Sequence, residues 1–178
     1  GQAAWRCVDK NSFAQQRRKF RHFASRGALN IEGLGPSTVD ALMEKGLLTH
    51  FDDFFTLKEG DVFELEGFAD VSAKKLIDSI RKAAVSVPLS RLLTGLSIPH
   101  VGEETAILLA QNFKTIDDVA VADAESLAAI EGIGPILAKS IYEWLRDKEN
   151  KNLIARRKKL IAIKSEKPRL NLGTLPLA

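Results

Sequence analysis

Cysteine is almost absent from this 178-residue chain, in which Cys7 is the one example. A single cysteine excludes a disulfide within the chain and favours a reducing compartment. Long apolar runs are also missing, although 45% of the residues are hydrophobic, so no segment is predicted to cross a membrane. No charged-then-apolar leader opens the sequence, so no secretory signal is predicted. A cytoplasmic protein is therefore expected.

Motifs for catalysis and cofactor binding are lacking as well. The sequence contains no P-loop, no cluster of potential metal ligands and no Ser-His-Asp candidate. The three histidines, His22, His50 and His100, lie far apart in sequence. Each is interpreted as a surface or core residue, so no catalytic residue is predicted.

Acidic residues are missing from two stretches of the chain. Residues 15–26, QQRRKFRHFASR, hold five basic residues and no acid, and residues 156–159 read RRKK. Acids concentrate instead in 52–70 and 117–131. The net charge is only +3, but a segregated basic surface suits a polyanion, whereas most basic runs are simply solvated faces.

Helical periodicity dominates what is present. Apolar residues recur at three- and four-residue spacing, and sustained period-two alternation is absent, so little sheet is expected. The predicted helical segments are 39–47, 72–84, 104–113, 122–130 and 137–163.

Four short stretches share one pattern, and this internal repeat organises the chain. They read IEGLGPSTVDAL from Ile31, LEGFADVSAKKL from Leu65, IPHVGEETAILL from Ile98 and IEGIGPILAKSI from Ile130. Their third positions are 34, 33 and 32 residues apart (67 − 33, 100 − 67 and 132 − 100). The first five positions are aliphatic, any residue, glycine, apolar and glycine, except that His100 replaces the first glycine of the third stretch and Ala69 the second glycine of the second. We call residues 31–35, 65–69, 98–102 and 130–134 hairpins 1 to 4.

The repeat has a physical interpretation. Glycines allow backbone angles forbidden to other residues and leave no Cβ in the way, while the central apolar residue anchors the turn in the core. The helix that follows begins with amides that lack intrahelical partners, and such amides form an anion site. Four sites on one repeating scaffold match the regularly spaced phosphates of duplex nucleic acid. The alternative is that the turns only connect helices.

These residues resemble the helix-hairpin-helix motif. The resemblance implies that the hairpins hold the sugar-phosphate backbone through main-chain amides across the minor groove, without reading sequence, and with salt-dependent affinity. The implied DNA-binding residues are Gly33, Leu34, Gly35, Thr38, Gly67, Phe68, Ser72, Val101, Gly102, Thr105, Gly132, Ile133 and Gly134. The amides of Leu34, Gly35, Ile133 and Gly134 are the leading candidates. The negative charges of Asp70 beside hairpin 2, and of Glu103 and Glu104 beside hairpin 3, are expected to repel phosphate.

Basic side chains are expected to add phosphate contacts. Those near the helix starts are Lys74, Lys75 and Lys139, and those in the basic stretch are Arg17, Arg18 and Arg21. A lysine on a helix face is more often solvated, so these side chains are a weaker prediction than the amides.

A second resemblance lies ahead of the repeats. Residues 3–35, AAWRCVDKNSFAQQRRKFRHFASRGALNIEGLG, are similar to the join between the four-cysteine zinc finger and the tandem helix-hairpin-helix domain of bacterial NAD-dependent DNA ligases. The residues in register are Arg6, Cys7, Ala14, Gln15, His22, Phe23, Ser25 and Arg26. Residues 88–106, PLSRLLTGLSIPHVGEETA, are similar to the repeat domain of the same ligases.

This resemblance implies a C-terminal fragment of a larger ligase that binds nicked duplex DNA beside the adenylation and OB domains of the parent enzyme. NAD and a divalent metal are implied for the parent and no cofactor for this fragment, since the adenylation motif K-x-D-G is absent and no activity is expected of the fragment alone. Of the family's four zinc-finger cysteines only Cys7 is present, and Ser12 stands at the fourth, which leaves an incomplete zinc site.

The predicted fold is all-α, with four helix-hairpin-helix units in two pseudo-symmetric pairs and a short irregular N-terminal zinc-finger-like remnant. The expected boundaries are 1–27 for the remnant and basic connector, 28–164 for the tandem domain and 165–178 for a linker or tail. Two alternatives remain open: a stand-alone helix-hairpin-helix module of DNA repair, and a helical protein-interaction scaffold.

Overall fold

Helices make up most of the backbone in the computed structural model, which describes residues 12–157 and 159–165. The α-helices are α1 (Phe13–Ala24), α2 (Pro36–Glu44), α3 (Glu59–Phe63), α4 (Asp70–Val85), α5 (Leu89–Gly95), α6 (Glu103–Asn112), α7 (Ile116–Val121), α8 (Ala124–Ala128), α9 (Pro135–Arg146) and α10 (Lys148–Arg157). A 3₁₀ helix spans Phe51–Phe55, and two short strands, β1 (Val87–Pro88) and β2 (Ile163–Lys164), pair in parallel. The all-α prediction is confirmed.

The chain is built from two halves with matching element order. The first half runs α1, hairpin 1, α2, the 3₁₀ helix, α3, hairpin 2 and α4, and the second runs α5, hairpin 3, α6, α7, α8, hairpin 4 and α9. The helix starts match too: Asp53 accepts a hydrogen bond from the His50 amide at 2.7 Å, and Asp118 accepts one from the Thr115 amide at 2.9 Å. This order confirms the expected arrangement of four hairpins in two pairs, with hairpin 1 equivalent to hairpin 3 and hairpin 2 to hairpin 4.

Helix α1 lies where an irregular zinc-finger-like remnant was expected. Ser12 caps the helix by accepting a hydrogen bond from the Gln15 amide at 3.4 Å. Phe20 and Phe23 are fully buried, and the Phe23 ring centroid lies 5.0 Å from that of Phe51. The expectation of irregular structure is wrong for residues 13–24, because aromatic residues three apart give this basic segment a buried helical face. Cys7 lies outside the described residues.

The two halves pack together through α1 and α5. A Cβ added to Gly95 would lie 3.0 Å from Cδ2 of Phe23, so the absence of a side chain permits the close approach of these helices. Nε2 of His22 lies 2.9 Å from the carbonyl oxygen of Thr94, which adds a polar contact across the same interface.

The long C-terminal helical pattern, predicted as 137–163, is interrupted. Helix α9 ends at Arg146, and Asp147 takes an extended conformation (φ −60°, ψ 134°). Oδ1 of Asp147 accepts hydrogen bonds from the amides of Glu149 and Asn150 at 2.9 and 3.1 Å. An aspartate that caps the next helix ends the preceding one even where the apolar spacing continues.

Helix α10 ends in a buried arginine that fastens it to the first half. Arg157 is 1% exposed, and its Cζ lies 4.7 Å from the Phe23 ring centroid and 4.8 Å from that of Phe51. Burial lowers the pKa of Arg157 to about 9, although the charge of Asp52 raises it, so the guanidinium is protonated at neutral pH. The two aromatic rings offset part of the cost of burying this charge.

Candidate nucleic-acid interface

The four hairpins share one backbone geometry. The fourth-position amide donates to the first-position carbonyl in Leu34 to Ile31 (3.2 Å), Phe68 to Leu65 (3.2 Å), Val101 to Ile98 (3.0 Å) and Ile133 to Ile130 (3.0 Å). The third position has a left-handed backbone, with φ of +84° at Gly33, +86° at Gly67, +65° at His100 and +91° at Gly132. The next helix begins two residues after the central apolar residue in every case. Hairpin 3 therefore keeps the shared turn despite its histidine.

The amides of the central apolar residues are used inside the turns. Those of Leu34 and Ile133 were expected to face DNA, but each donates to a carbonyl of its own hairpin. Their side chains are buried. Both amides are thus already engaged within their turns, and both side chains anchor the turns in the core.

Hairpins 1 and 4 leave three amides open at the start of the following helix. The open amides are those of Gly35, Ser37 and Thr38 in hairpin 1, and of Gly134, Ile136 and Leu137 in hairpin 4; none of them donates a hydrogen bond within the described part of the chain. Pro36 and Pro135 occupy the first helical positions and have no amide hydrogen to satisfy. Such helix starts present partial positive charge and can hold an anion.

The second glycine of hairpins 1, 3 and 4 is not required by its backbone angles. Gly35, Gly102 and Gly134 have φ of −76°, −93° and −76°, so the left-handed angle belongs to the third position of each hairpin, which is glycine in hairpins 1, 2 and 4. A Cβ added to any of the three would meet no atom within 4 Å. Internal packing gives no reason for glycine here, and the open space lets a ligand approach the backbone.

Hairpin 2 closes one amide at its helix start, that of Ala69, while the amides of Asp70, Val71 and Ser72 donate no hydrogen bond within the described residues. Oγ of Ser72 accepts a hydrogen bond from the Ala69 amide at 2.8 Å and donates one to the Ala69 carbonyl at 2.9 Å. Ser72, expected as a DNA contact, is thus engaged within the protein. The exposed Asp70 adds negative charge in the same turn.

Hairpin 3 has open amides but an acidic surround. The amides of Gly102, Glu103, Glu104 and Thr105 donate no hydrogen bond within the described residues. Glu103 and Glu104 are both exposed in the first turn of α6. The hairpin is held to α9 by Ser140, whose hydroxyl donates to the Pro99 carbonyl at 3.0 Å. The carboxylates of Glu103 and Glu104 interact favourably with the dipole of α6 and repel an approaching phosphate.

Two of the three predicted arginines are committed to an aspartate. Nε of Arg21 donates to Oδ1 of Asp40 at 2.8 Å, its Nη2 donates to Oδ2, and Nε of Arg17 lies 3.7 Å from Oδ1. Hydrogen bonding by Arg21 lowers the pKa of Asp40, and the charges of Arg21 and Arg17 add to the effect while desolvation opposes it. These arginines brace α1 against α2, whereas Arg18 is exposed and makes no ion pair within the described residues.

The predicted lysines are all exposed, and the structure adds one more. Nζ of Lys139 lies 3.8 Å from Oε1 of Glu143 on the same helix face. A groove of about 570 Å³ beside hairpins 1 and 2 is lined by Gly33, Phe68, Lys75 and Lys82, among others. Sequence reasoning missed Lys82, although its seven-residue spacing from Lys75 places both on one face of α4.

Metal and membrane sites find no support among the residues that the structure describes. Within them, no group of three or more His, Cys, Asp or Glu side chains is arranged to hold a metal ion. None of their helices combines the length and apolar character needed to cross a membrane.

Two family models match the chain, one in each half. A model described as a SAM-like helix-hairpin-helix tandem matches residues 25–82, and a model of the helix-hairpin-helix motif matches residues 91–154. Each match contains two of the four hairpins. The chain is therefore a tandem of helix-hairpin-helix units.

Curated proteins similar to the chain are named DNA ligase. The chain is 40% identical over 156 residues to that of Koribacter versatilis, covering 88% of this chain and 23% of the relative. It is 42% identical over 158 residues to that of Carboxydothermus hydrogenoformans (89% and 24%) and 46% identical over 127 residues to that of Thermodesulfovibrio yellowstonii (71% and 19%). The chain thus spans about a quarter or less of the length of these relatives.

Proposed function

We propose that this chain is the part of a bacterial NAD-dependent DNA ligase that binds duplex DNA. It binds nicked DNA without reading sequence, through amides of hairpins 1 and 4 that meet phosphates along the minor groove. Hairpins 2 and 3 add less through their amides, because Ser72 takes the Ala69 amide and acidic side chains stand beside the open ones: Asp70 in hairpin 2, and Glu103 and Glu104 in hairpin 3.

The observation that supports this proposal best is the pairing of open amides with open space. At Gly35 and Gly134 the amide has no acceptor among the residues that the structure describes, and a Cβ would meet nothing within 4 Å of them. A turn that only connected helices would tolerate a side chain at these two positions. A phosphate drawn to the amide would not, because it has to approach the backbone closely.

Similarity to the ligases favours nicked duplex DNA over other polyanions as the ligand. We assign the adenylation step, with NAD and a divalent metal, to the adenylation and OB domains of the parent enzyme, because K-x-D-G is absent from these 178 residues. The chain's own part is to hold the duplex beside that chemistry. A zinc site is not included, since Cys7 supplies only one of the four ligands that a structural zinc site needs.

The first test replaces Gly134 by aspartate. Aspartate is a good N-cap residue, so Gly134→Asp should fold with an unchanged or slightly higher Tm. Its carboxylate would bond the open amides and repel phosphate, so the affinity for a labelled nicked duplex should fall on the order of tenfold or more.

Ala69→Asp is the matched control, because it places the same N-cap chemistry in the hairpin whose amide is already capped by Ser72. Its affinity should stay within about twofold of wild type. Equal loss of affinity in both variants would show a general charge effect, and no loss in Gly134→Asp would exclude hairpin 4 from the interface.

A salt series tests the ligand class itself. Each phosphate neutralised should contribute about −0.9 to the slope of log K against log salt. A protein-interaction scaffold would bind duplex weakly or show a flat response, and either result would contradict the proposal.

A further inference from the structure

We infer that the side chain of His100 is a direct DNA contact, through which hairpin 3 grips the backbone by a side chain where hairpins 1 and 4 use amides. The inference rests on the proposed function and extends it to a hairpin that the acidic helix start of α6 would otherwise remove from the interface.

The backbone of His100 is the first observation. Its φ of +65° lies in the left-handed region, at the position where the other three hairpins have glycine. The left-handed conformation costs an L-residue conformational free energy, whereas glycine adopts it without that cost. The shared turn would form at least as well with glycine, so the local fold does not explain the histidine.

The surroundings of the side chain are the second observation. His100 is exposed, and it makes no hydrogen bond, ion pair or aromatic contact within the residues that the structure describes. By contrast, His22 bonds the Thr94 carbonyl and His50 bonds Thr49. A side chain that costs backbone energy and makes no polar or aromatic contact within the described residues is explained by an external partner.

The chemistry of the side chain indicates which partner. An imidazole offers an N–H donor in either tautomer, and the duplex presents acceptor oxygens on phosphate and sugar along its backbone. The neighbouring Glu103 and Glu104 keep phosphate away from the start of α6. A donor that projects from the turn can reach the backbone without bringing phosphate onto these carboxylates.

The test compares two substitutions at left-handed residues. His100→Gly removes the strained side chain, so its Tm should be unchanged or up to about 3 °C higher. Loss of one hydrogen bond to DNA should weaken binding of a labelled nicked duplex about three- to tenfold. Ser97→Gly, at φ +54° just before hairpin 3, relieves the same kind of strain and should leave affinity unchanged.

His100→Asn is the conservative rescue, because asparagine tolerates the left-handed region and keeps a donor. It should retain most of the affinity that His100→Gly loses. A His100→Gly variant that binds like Ser97→Gly overturns the inference, and so does a fall in its Tm, which would reveal an internal packing role. If His100→Gly gives either of these contrary results while Gly134→Asp still weakens binding, the inference about His100 fails and the proposed function stands. If the wild-type chain does not bind duplex DNA, the inference and the proposed function both fail.

Discussion

Hairpins 2 and 4 occupy equivalent places in the two halves and share the same turn, but they present different surfaces. The Ala69 amide of hairpin 2 is closed by Ser72, whereas the Gly134 amide of hairpin 4 finds no acceptor in residues 12–157 and 159–165. The two left-handed glycines differ as well: a Cβ at Gly132 would lie 2.9 Å from Cδ1 of Leu108, and one at Gly67 would meet nothing within 4 Å. A repeated backbone therefore fixes where amides can be offered, and individual side chains decide which are available.

The largest effect is expected in stability, when alanine replaces the left-handed glycine of hairpin 4 or of hairpin 2. Gly132→Ala combines a left-handed strain with a clash against Leu108 and should lower the free energy of unfolding by about 2–3 kcal/mol. Gly67→Ala has the strain alone and should lose about 1–2 kcal/mol. Denaturant unfolding of both variants measures the gap, and equal losses would mean that the flexible end of Leu108 moves aside at no cost.

Removing the Ser72 hydroxyl should make hairpin 2 more like hairpin 4. Ser72→Ala loses a capping interaction worth about 1 kcal/mol of stability and frees the Ala69 amide, so duplex affinity should rise about twofold. Thr105→Ala is the comparison at the equivalent position of hairpin 3, where the hydroxyl makes no hydrogen bond within the described residues; as a predicted DNA contact, it should lose affinity where Ser72→Ala gains it. Affinity that stays constant in Ser72→Ala would show that Asp70, and not the internal cap, separates the two hairpins.

The smallest effect is expected at hairpin 1, whose helix α2 is braced by Asp40. The pKa of Asp40 is lowered by Arg21 in the folded state from the usual 3.8, so its ion pairs stabilise the fold above that value. The contribution is lost as the pH falls through the lowered pKa. Asp40→Asn should thus have a slightly lower Tm at neutral pH, with the difference from wild type shrinking below pH 3.8.

A Tm difference between wild type and Asp40→Asn that persisted in strong acid would point to packing and not charge as the role of Asp40. Duplex affinity of the same variant is a second readout. An increase would show that Arg17 and Arg21, once released, can reach phosphate, as their predicted role requires.

Much of the fold was predictable because local signals and the global pattern agree. The glycines at 33, 67 and 132 take the left-handed angles that their spacing indicated, and Pro36 and Pro135 begin helices as their positions suggest. A longer repeat also runs through the chain: FDDF at 51–54 and IDDV at 116–119 begin equivalent helices 65 residues apart (116 − 51). The break at Asp147 was missed because apolar spacing continues through it, while the carboxylate that ends the helix acts only locally.

The sequence by itself determined that the chain is helical, that one pattern occurs four times, and that a glycine (a histidine in hairpin 3) stands at the third position of each turn. These properties depend on spacing along the chain. The tertiary structure alone decided which groups are left to bind a ligand. Arg21 looked free until Asp40 was placed beside it, and the Leu34 amide looked free until the turn closed onto Ile31. Availability depends on partners distant in sequence or on hydrogen bonds that form only when the backbone folds, and spacing encodes neither.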